Sequence, residues 1–233
     1  QTILLRMIED WKMSLDQNKH VVAILTDLSK AFDHLPHDLL IAKLAAYGLS
    51  LNACVLIKSY LTDRHQRVKI GNRRSTWLPI VKGVPHGSIL GPLLFNIFMN
   101  DVFLFIDHCT VYCYADDITL SYSNESFVNV KDTLQKETDL LLEWFKANDM
   151  KANPSKFQAL VLGPNANDSN EFIVGNKVIK AQKHVKSLGI YVDDKLNFNV
   201  HIAEVCKKAG RQLNALSRLN RFLSFQNRRS IYT

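Results

Sequence analysis

Val111-Tyr112-Cys113-Tyr114-Ala115-Asp116-Asp117-Ile118-Thr119-Leu120-Ser121-Tyr122 reads as two short strands folded back on a tight turn that carries two adjacent carboxylates. β-Branched and aromatic residues fill both flanks, which suits a pleated, half-buried surface. A third carboxylate has a similar setting: His20 to Thr26 is an apolar, β-branched run of strand length that ends at Asp27. A lone strand-end Asp is ordinarily a cap or a turn residue, and Asp-Asp in a hairpin is ordinarily turn chemistry. Three carboxylates on strand ends of one sheet have another use. They can converge on Mg²⁺, which prefers oxygen ligands and is usually held by one or two carboxylates plus substrate phosphates. Two such ions about 3.5–4 Å apart would activate an attacking 3′ hydroxyl and stabilise a leaving pyrophosphate in an in-line displacement.

Working outward, the spacing of Ile3, Leu4, Met7, Ile8 and Trp11 predicts an opening helix. Leu39 to Tyr47, closed by Gly48, and Ser50 to Leu61, with Ser50 as N-cap, predict two further helices. Arg67 to Ile70 and Thr76 to Val81, about Gly71-Asn72, predict a hairpin. The chain then turns at Val84-Pro85-His86-Gly87 and enters an apolar helix from Ser88 or Ile89 to Phe105, with Pro92 tolerated near its first turn. Phe127, Val130, Leu134, Leu141 and Phe145 mark a long amphipathic helix ending near Asn148. Strands are expected around Phe157 to Leu162, Phe172 to Ile179 and Val185 to Val192. Ile202, Val205, Ala209, Leu213 and Leu216 form a last helical stripe, and a second, incomplete subdomain is expected to start near Leu196.

Composition narrows the class. The 233 residues are 47% hydrophobic and 22% charged, with 9 Gly and 6 Pro scattered rather than periodic, which excludes collagen-like and low-complexity chains. The greasiest stretch, Ile89 to Ile106, is broken by Gly91, Pro92, Asn96, Asn100 and Asp101, so no membrane span and no membrane partner is expected. The chain opens on Gln1 without a charged leading region or a small-residue cleavage site, so no secretory leader is expected and the sequence reads as an excised piece. Cys54, Cys109, Cys113 and Cys206 are unevenly spaced and are expected to be free thiols in a reducing compartment.

Of the net charge of +7, residues 58–82 and residues 201–233 each carry +6, leaving −5 for the remainder. Basic segments are commonly just solvated faces. Two of them flanking an acidic remainder suggest surfaces for a polyanion and a separate place that needs carboxylates.

Three segments then speak together: Thr26-Asp27-Leu28-Ser29-Lys30-Ala31-Phe32-Asp33; Gly83-Val84-Pro85-His86-Gly87-Ser88-Ile89-Leu90-Gly91-Pro92-Leu93-Leu94-Phe95-Asn96; and Tyr114-Ala115-Asp116-Asp117. In order and spacing they resemble the palm motifs of reverse transcriptases, specifically those of non-LTR, LINE-like or jockey-type retrotransposons. Asn153-Pro154-Ser155-Lys156 is similar to the lysine-bearing segment of that family, and Leu188-Gly189-Ile190-Tyr191-Val192 to its primer-grip hairpin.

The resemblance implies an α/β (α+β) fold, a right-hand polymerase palm whose antiparallel sheet is backed by helices. Residues 1–195 would be the palm with a partial fingers insertion at about 50–82, and residues 196–233 the start of a thumb. It implies RNA-directed DNA synthesis from dNTPs on an RNA template and a DNA primer, with two Mg²⁺ ions that Mn²⁺ can replace, in the cytoplasm or nucleus. Asp27 and Asp116 would be the principal metal ligands, with Asp117 nearby and the Leu28 carbonyl assisting. Phe32 matches the aromatic gate that rejects a 2′ hydroxyl by shape; its plain reading is a core phenylalanine. Pro85, His86 and Gly87 would border the incoming nucleotide, with Gly83 and Gly87 letting backbone approach the nascent base pair. Lys156 would face the pyrophosphate as proton donor or charge partner. Arg64, Arg67, Arg73 and Arg74 would meet template or primer phosphates, and Tyr114, Leu188 and Gly189 the nucleic acid as well.

Two departures bear on activity. His86 stands where the family usually has Gln, and a neutral imidazole is shorter, with a single donor. The fingers strands that grip the triphosphate are expected to lie upstream of this stretch. The alternative reading is a catalytically impaired or co-opted nucleic-acid-binding remnant. Plain readings hold elsewhere: His108, Cys109 and Cys113 are expected to be structural rather than zinc ligands, His34 and His37 turn residues, Asp33 a cap or ion-pair residue, and Trp11, Trp77 and Trp144 core or subdomain contacts. Host, template preference and oligomeric state are not legible in the chain.

Overall fold

The computed structural model describes residues 2–164, 166 and 170–219. Its centre is the strand β1 (His20–Leu25), which follows the helix α1 (Thr2–Asp16). Val21 through Leu25 are all buried. Val22 and Ile24 face one apolar cluster, while Val21, Ala23 and Leu25 face another. A strand covered on both faces reads as a continuous apolar run rather than an alternation, which is why HVVAIL carries no polar face.

Beyond β1 come α2 (Ala31–His34), α3 (His37–Ala46) and α4 (Leu51–Leu61), the last capped by Ser50, whose hydroxyl accepts from Ala53 N–H. Next follow β2 (Arg64–Gln66), β3 (Lys69–Ile70), β4 (Arg73–Arg74) and β5 (Leu78–Ile80). The apolar helix α5 (Leu90–Met99) runs on into a 3₁₀ turn at Asn100–Leu104. Then come β6 (Thr110–Tyr114), β7 (Asp117–Asn124), α6 (Phe127–Ala147) and β8 (Gln158–Leu162). The last described part holds β9 (Glu171–Val174), β10 (Lys177–Lys180), β11 (His184–Ser187), β12 (Ile190–Asp193) and α7 (Asn199–Leu219).

Four strands make the main sheet in the order β6-β7-β1-β8, antiparallel throughout. On one face lie α5 and α6, with Phe95, Phe98, Trp144 and Phe145 fully buried. On the other lie α1 and the β11–β12 hairpin, through Leu4, Met7, Trp11, Val185 and Val192. Polar contacts orient α1: Trp11 Nε1 donates to Ser121 Oγ (2.8 Å) and Tyr112 OH to Asp10 Oδ2 (2.9 Å). Lys43 ties three helices together, donating to the Phe98 carbonyl (2.8 Å) and Asp101 (2.7 Å) while sitting 4.9 Å from the Trp144 ring centroid. Burial lowers its pKa against the pull of Asp101.

Several expected elements take a different form. The hairpin predicted from Arg67–Ile70 and Thr76–Val81 begins earlier, with Arg64↔Ile80, and its inner pairing is Lys69↔Arg74. The two registers differ by one residue, so the return strand carries a bulge near Thr76. Phe172–Ile179 is a hairpin, not one strand, turning at Gly175, and Val185–Val192 is likewise two strands turning at Leu188-Gly189. The apolar helix leaves α-geometry at Met99, before Phe105. Of the tryptophans, Trp11 and Trp144 are core residues, but Trp77 is 57% exposed. In α7, Ile202, Val205 and Leu213 are exposed; the rest of the basic segment, with Arg221, Arg228 and Arg229, lies outside the described residues.

One backbone joint supports the segment before α5. Gly83 N–H donates to the Leu35 carbonyl (2.7 Å) and Val84 N–H to the Phe32 carbonyl (2.9 Å), which seats the chain on α2. Gly83 has φ +84°, and a Cβ there would lie 2.7 Å from the Phe32 carbonyl oxygen and 2.8 Å from Asp33 Cα. The close approach that Gly83 permits here is to the protein's own backbone. Gly83→Ala is expected to cost about 2 kcal/mol or more of stability, read as a lower urea midpoint. Gly87→Ala, with a positive φ but open space around it, should cost about 1 kcal/mol.

Candidate active site

The site forms where β1 runs out. Thr26 continues the pairing of β1 with β7: its N–H (2.9 Å) and its hydroxyl (3.1 Å) both donate to the Ile118 carbonyl. Since Leu25 opposes Thr119, two further steps in that register set Asp27 across from Asp117. On the other side, Asn153 N–H donates to the Asp27 carbonyl (3.0 Å) and Ser29 N–H to the Lys151 carbonyl (2.9 Å), a bridge centred on Leu28 and Ala152. That bridge leaves the Leu28 carbonyl out of its bonds, while the Leu28 side chain is buried in the core.

Asp116 and Asp117 come from the β6–β7 turn, where Tyr114 pairs with Asp117 and only Ala115 and Asp116 span the gap. Ala115 takes φ +54°, a left-handed value that non-glycine residues rarely adopt. Partial burial raises the Asp117 pKa, and the like charges of Asp116 and Asp27 raise it further. The neighbouring Cys113 thiol is pushed up to about 11, chiefly by burial and then by the same two aspartates of the turn. Cys109, buried beside Glu137, is pushed up to about 12. Both thiols are therefore neutral, as packing residues are.

Asp27, Asp117, Lys156, Gln158, Lys186 and Ser187 line a cleft of about 170 Å³ at this end of the sheet. Lys156 Nζ lies 3.3 Å from Asp27 Oδ2. Among the described residues no three His, Cys, Asp or Glu side chains are gathered closely enough to enclose an ion on protein ligands alone. The expected metal ligands are thus not a closed cage. A hard cation held partly by substrate phosphates needs only one or two of them. The oxygen-only donors and the raised Asp117 pKa suit a divalent cation.

A second wall lies along the seated segment. Phe32 stacks on Phe95 (centroids 4.2 Å, interplanar angle 20°) and lies 6.5 Å from the His86 ring. His86 Nε2–H donates to Asp33 Oδ1 at 2.6 Å, which makes Asp33 the hydrogen-bond partner of His86. Pro85 closes the turn, its carbonyl accepting from the Ser88 hydroxyl (2.7 Å), and Ser88 Oγ accepts from Gly91 N–H (3.0 Å) at the start of α5. His37 Nε2–H donates to the Gly83 carbonyl (2.7 Å).

The remaining expected residues are more dispersed. Leu188 and Gly189, at φ +49° and +84°, form the two-residue turn of β11–β12. Leu188 shares a narrow pocket with Tyr114 and Asp117. Arg64 and Arg67 stand apart from the carboxylate cleft, on the β2–β5 hairpin, with Arg64 beside His37, Asp38 and Asp63. Lys186 was not singled out in the sequence; its signal is the alternation of β11, where Val185 and Ser187 are buried and Lys186 is exposed to the cleft.

Known proteins share this arrangement. Residues 2–192 match the family described as reverse transcriptase (RNA-dependent DNA polymerase). The chain is 28% identical to the probable RNA-directed DNA polymerase from transposon BS of Drosophila melanogaster, covering 97% of this chain and 26% of that protein. It is also 28% identical to the RNA-directed DNA polymerase from mobile element jockey of Drosophila funebris, covering 94% and 25%. It therefore spans about a quarter of the length of these relatives. Among solved structures, apo telomerase from Candida tropicalis truncated from its C-terminal domain superposes with a TM-score of 0.59 at 16% identity, over 83% of this chain and 38% of that one. The shared fold is the right-hand polymerase palm, an antiparallel sheet with helices packed on it. With this fold, these motifs and a family match over residues 2–192, the chain belongs to the reverse transcriptase (RNA-dependent DNA polymerase) family.

Proposed function

We propose that this chain is the catalytic palm of an RNA-directed DNA polymerase that adds dNTPs to a primer 3′ hydroxyl on an RNA template during retrotransposition. Residues 1–195 are read as palm with partial fingers and residues 196–233 as the start of the thumb. Its setting is intracellular, in keeping with free cysteines. The observation that carries the reading is the end of β1: Asp27 and Asp117 line one cleft with Lys156, and Asp116 adds its charge to theirs.

Divalent cations, Mg²⁺ or Mn²⁺, would be held by Asp27, Asp116, Asp117 and the Leu28 carbonyl, and when bound they supply charge to both the attacking and the leaving oxygens. The chain's own residues do the rest. The 3′ hydroxyl gives its proton to solvent as its oxygen bonds to the α-phosphorus and the bridging bond to the β-phosphate breaks, and Lys156 balances or protonates the departing pyrophosphate. Asp27 holds that ammonium in the cleft before substrate arrives. Phe32, fixed flat on Phe95, presents a wall to the 2′ position of the sugar. Pro85, His86 and Gly87 border the nucleotide, while Tyr114, Leu188 and Gly189 border the primer end. Arg64 and Arg67 contact template or primer phosphates.

Extension of a DNA primer on RNA, dependent on Mg²⁺, tests the reading, and Asp116→Asn should lower it by about 10²-fold or more. No extension by the native chain, even with the upstream fingers supplied, would sink it. The same carboxylates should weaken the metal-free fold. Because folding raises the Asp117 pKa, the folded chain keeps that proton longer than the unfolded chain. Stability therefore falls as pH rises out of the ordinary carboxylate range through the raised pKa. In EDTA at pH 7, Asp117→Asn should melt higher than the native chain, and added Mg²⁺ should narrow the gap.

Two substitutions probe the second wall. Phe32→Ala should admit rNTPs with little change in dNTP use, seen as a raised ratio of rNTP to dNTP incorporation. His86→Gln frees the position from Asp33 and should lower the KM for dNTP by about 3- to 10-fold, the worth of one hydrogen bond, with kcat moving less.

A further inference from the structure

The β2–β5 hairpin has no core of its own. Every residue from His65 to Pro79 is exposed, including Val68, Ile70, Trp77 and Leu78. A two-stranded ribbon in water is marginal by itself, and this one covers nothing beneath it. Its charge is one-sided: residues 64–82 hold Arg64, Arg67, Lys69, Arg73, Arg74 and Lys82 and no Asp or Glu. Lys82 pairs with Asp149, but among the described residues none of the other five cations pairs with a carboxylate.

The register places Trp77 opposite Arg67, one step beyond the Gln66↔Leu78 pair. Arg67 lies over the indole, its guanidinium carbon 4.3 Å from the ring centroid. The bulge near Thr76 follows directly, and the mutual hydrogen bonds of Val68 and Ser75 pin the chain on its far side. A large aromatic ring is thus held by a cation on a basic ribbon, its outer surface open among the described residues. At its base the ribbon runs through the Pro36–Lys82 bridge into Gly83 and then His86, so it is continuous with the nucleotide-side wall.

We propose that Trp77, held by Arg67, is a stacking platform for an unpaired base of the template strand, with Lys69, Arg73 and Arg74 contacting the flanking phosphates. Single-stranded nucleic acid matches both features: every base offers a π-face, and its backbone is a polyanion. A duplex hides its bases and can use only the cations. The proposal rests on the polymerase reading for the identity of the strand.

The test uses binding, without dNTPs or metal. Trp11 and Trp144 are buried, so the emission that acrylamide quenches reports Trp77. An unstructured fluorescein-labelled oligouridylate should shield Trp77 from acrylamide, and a blunt RNA–DNA duplex should not. By fluorescence anisotropy, Trp77→Ala should bind the oligouridylate about tenfold more weakly, Trp77→Phe should recover most of that loss, and duplex binding should stay within about twofold. Equal oligouridylate binding by Trp77→Ala and the native chain would overturn the platform, as would equal losses for single strand and duplex. Primer extension on the same proteins separates the two readings: a Trp77-dependent single-strand affinity without extension by the native chain keeps the platform and removes the polymerase, whereas extension without that dependence does the reverse.

Discussion

Burial of β1 on both faces is the constraint on which the rest depends. A six-residue strand whose side chains alternate between two apolar clusters must sit in the middle of the sheet, between β7 and β8. It cannot shift by one residue without exchanging the two clusters, so its register is firmly set. The position of Asp27 follows: the strand can continue as apolar chain only as far as the sheet covers it, and the first residue past Thr26 meets solvent beside β7 and opposite the turn that carries Asp116 and Asp117. The chemistry is thus placed by packing, on the most rigid element of the molecule, which is where a site that must hold reacting atoms in line belongs.

The same core fixes the second wall. Phe95 is fully buried in α5 and Phe32 lies flat on it, so the exposed part of Phe32 has a defined height and tilt. Gly83 seats the preceding segment against α2 by backbone hydrogen bonds, and His86 then falls within reach of Asp33. The His86–Asp33 contact therefore has a structural consequence. It joins two segments, α2 and the turn before α5, through a side-chain contact that bears on the mouth of the site.

These regions are built at a cost in stability. Three carboxylates in one charge neighbourhood, a left-handed Ala115 and a left-handed Leu188 are each unfavourable for folding alone. They are tolerated because the two clusters around β1 over-determine the surrounding backbone. The basic hairpin shows the opposite balance. It has little core of its own, its indole is exposed, and among the described residues Lys82 is its only cation paired with a carboxylate.

Much was legible from the chain because it is local. The apolar run into Asp27, the Tyr-Ala-Asp-Asp turn, the Ser50 cap and the long amphipathic α6 depend on neighbours within a few residues, and their side-chain types declare them. The split of Phe172–Ile179 into a hairpin was less visible, since Gly175 interrupts a run whose apolar residues continue on both sides. What the sequence by itself determined is the set of strands, helices and acidic turns, because periodicity and turn chemistry are properties of short segments. What only the tertiary structure decided is which distant side chains meet: Lys186 beside Lys156, His86 on Asp33, Gly83 against α2, and Trp77 left in the open under Arg67. Those outcomes depend on registers and packing between segments far apart in sequence, where the free energy of burial, summed over two clusters, selects one arrangement that no local pattern specifies.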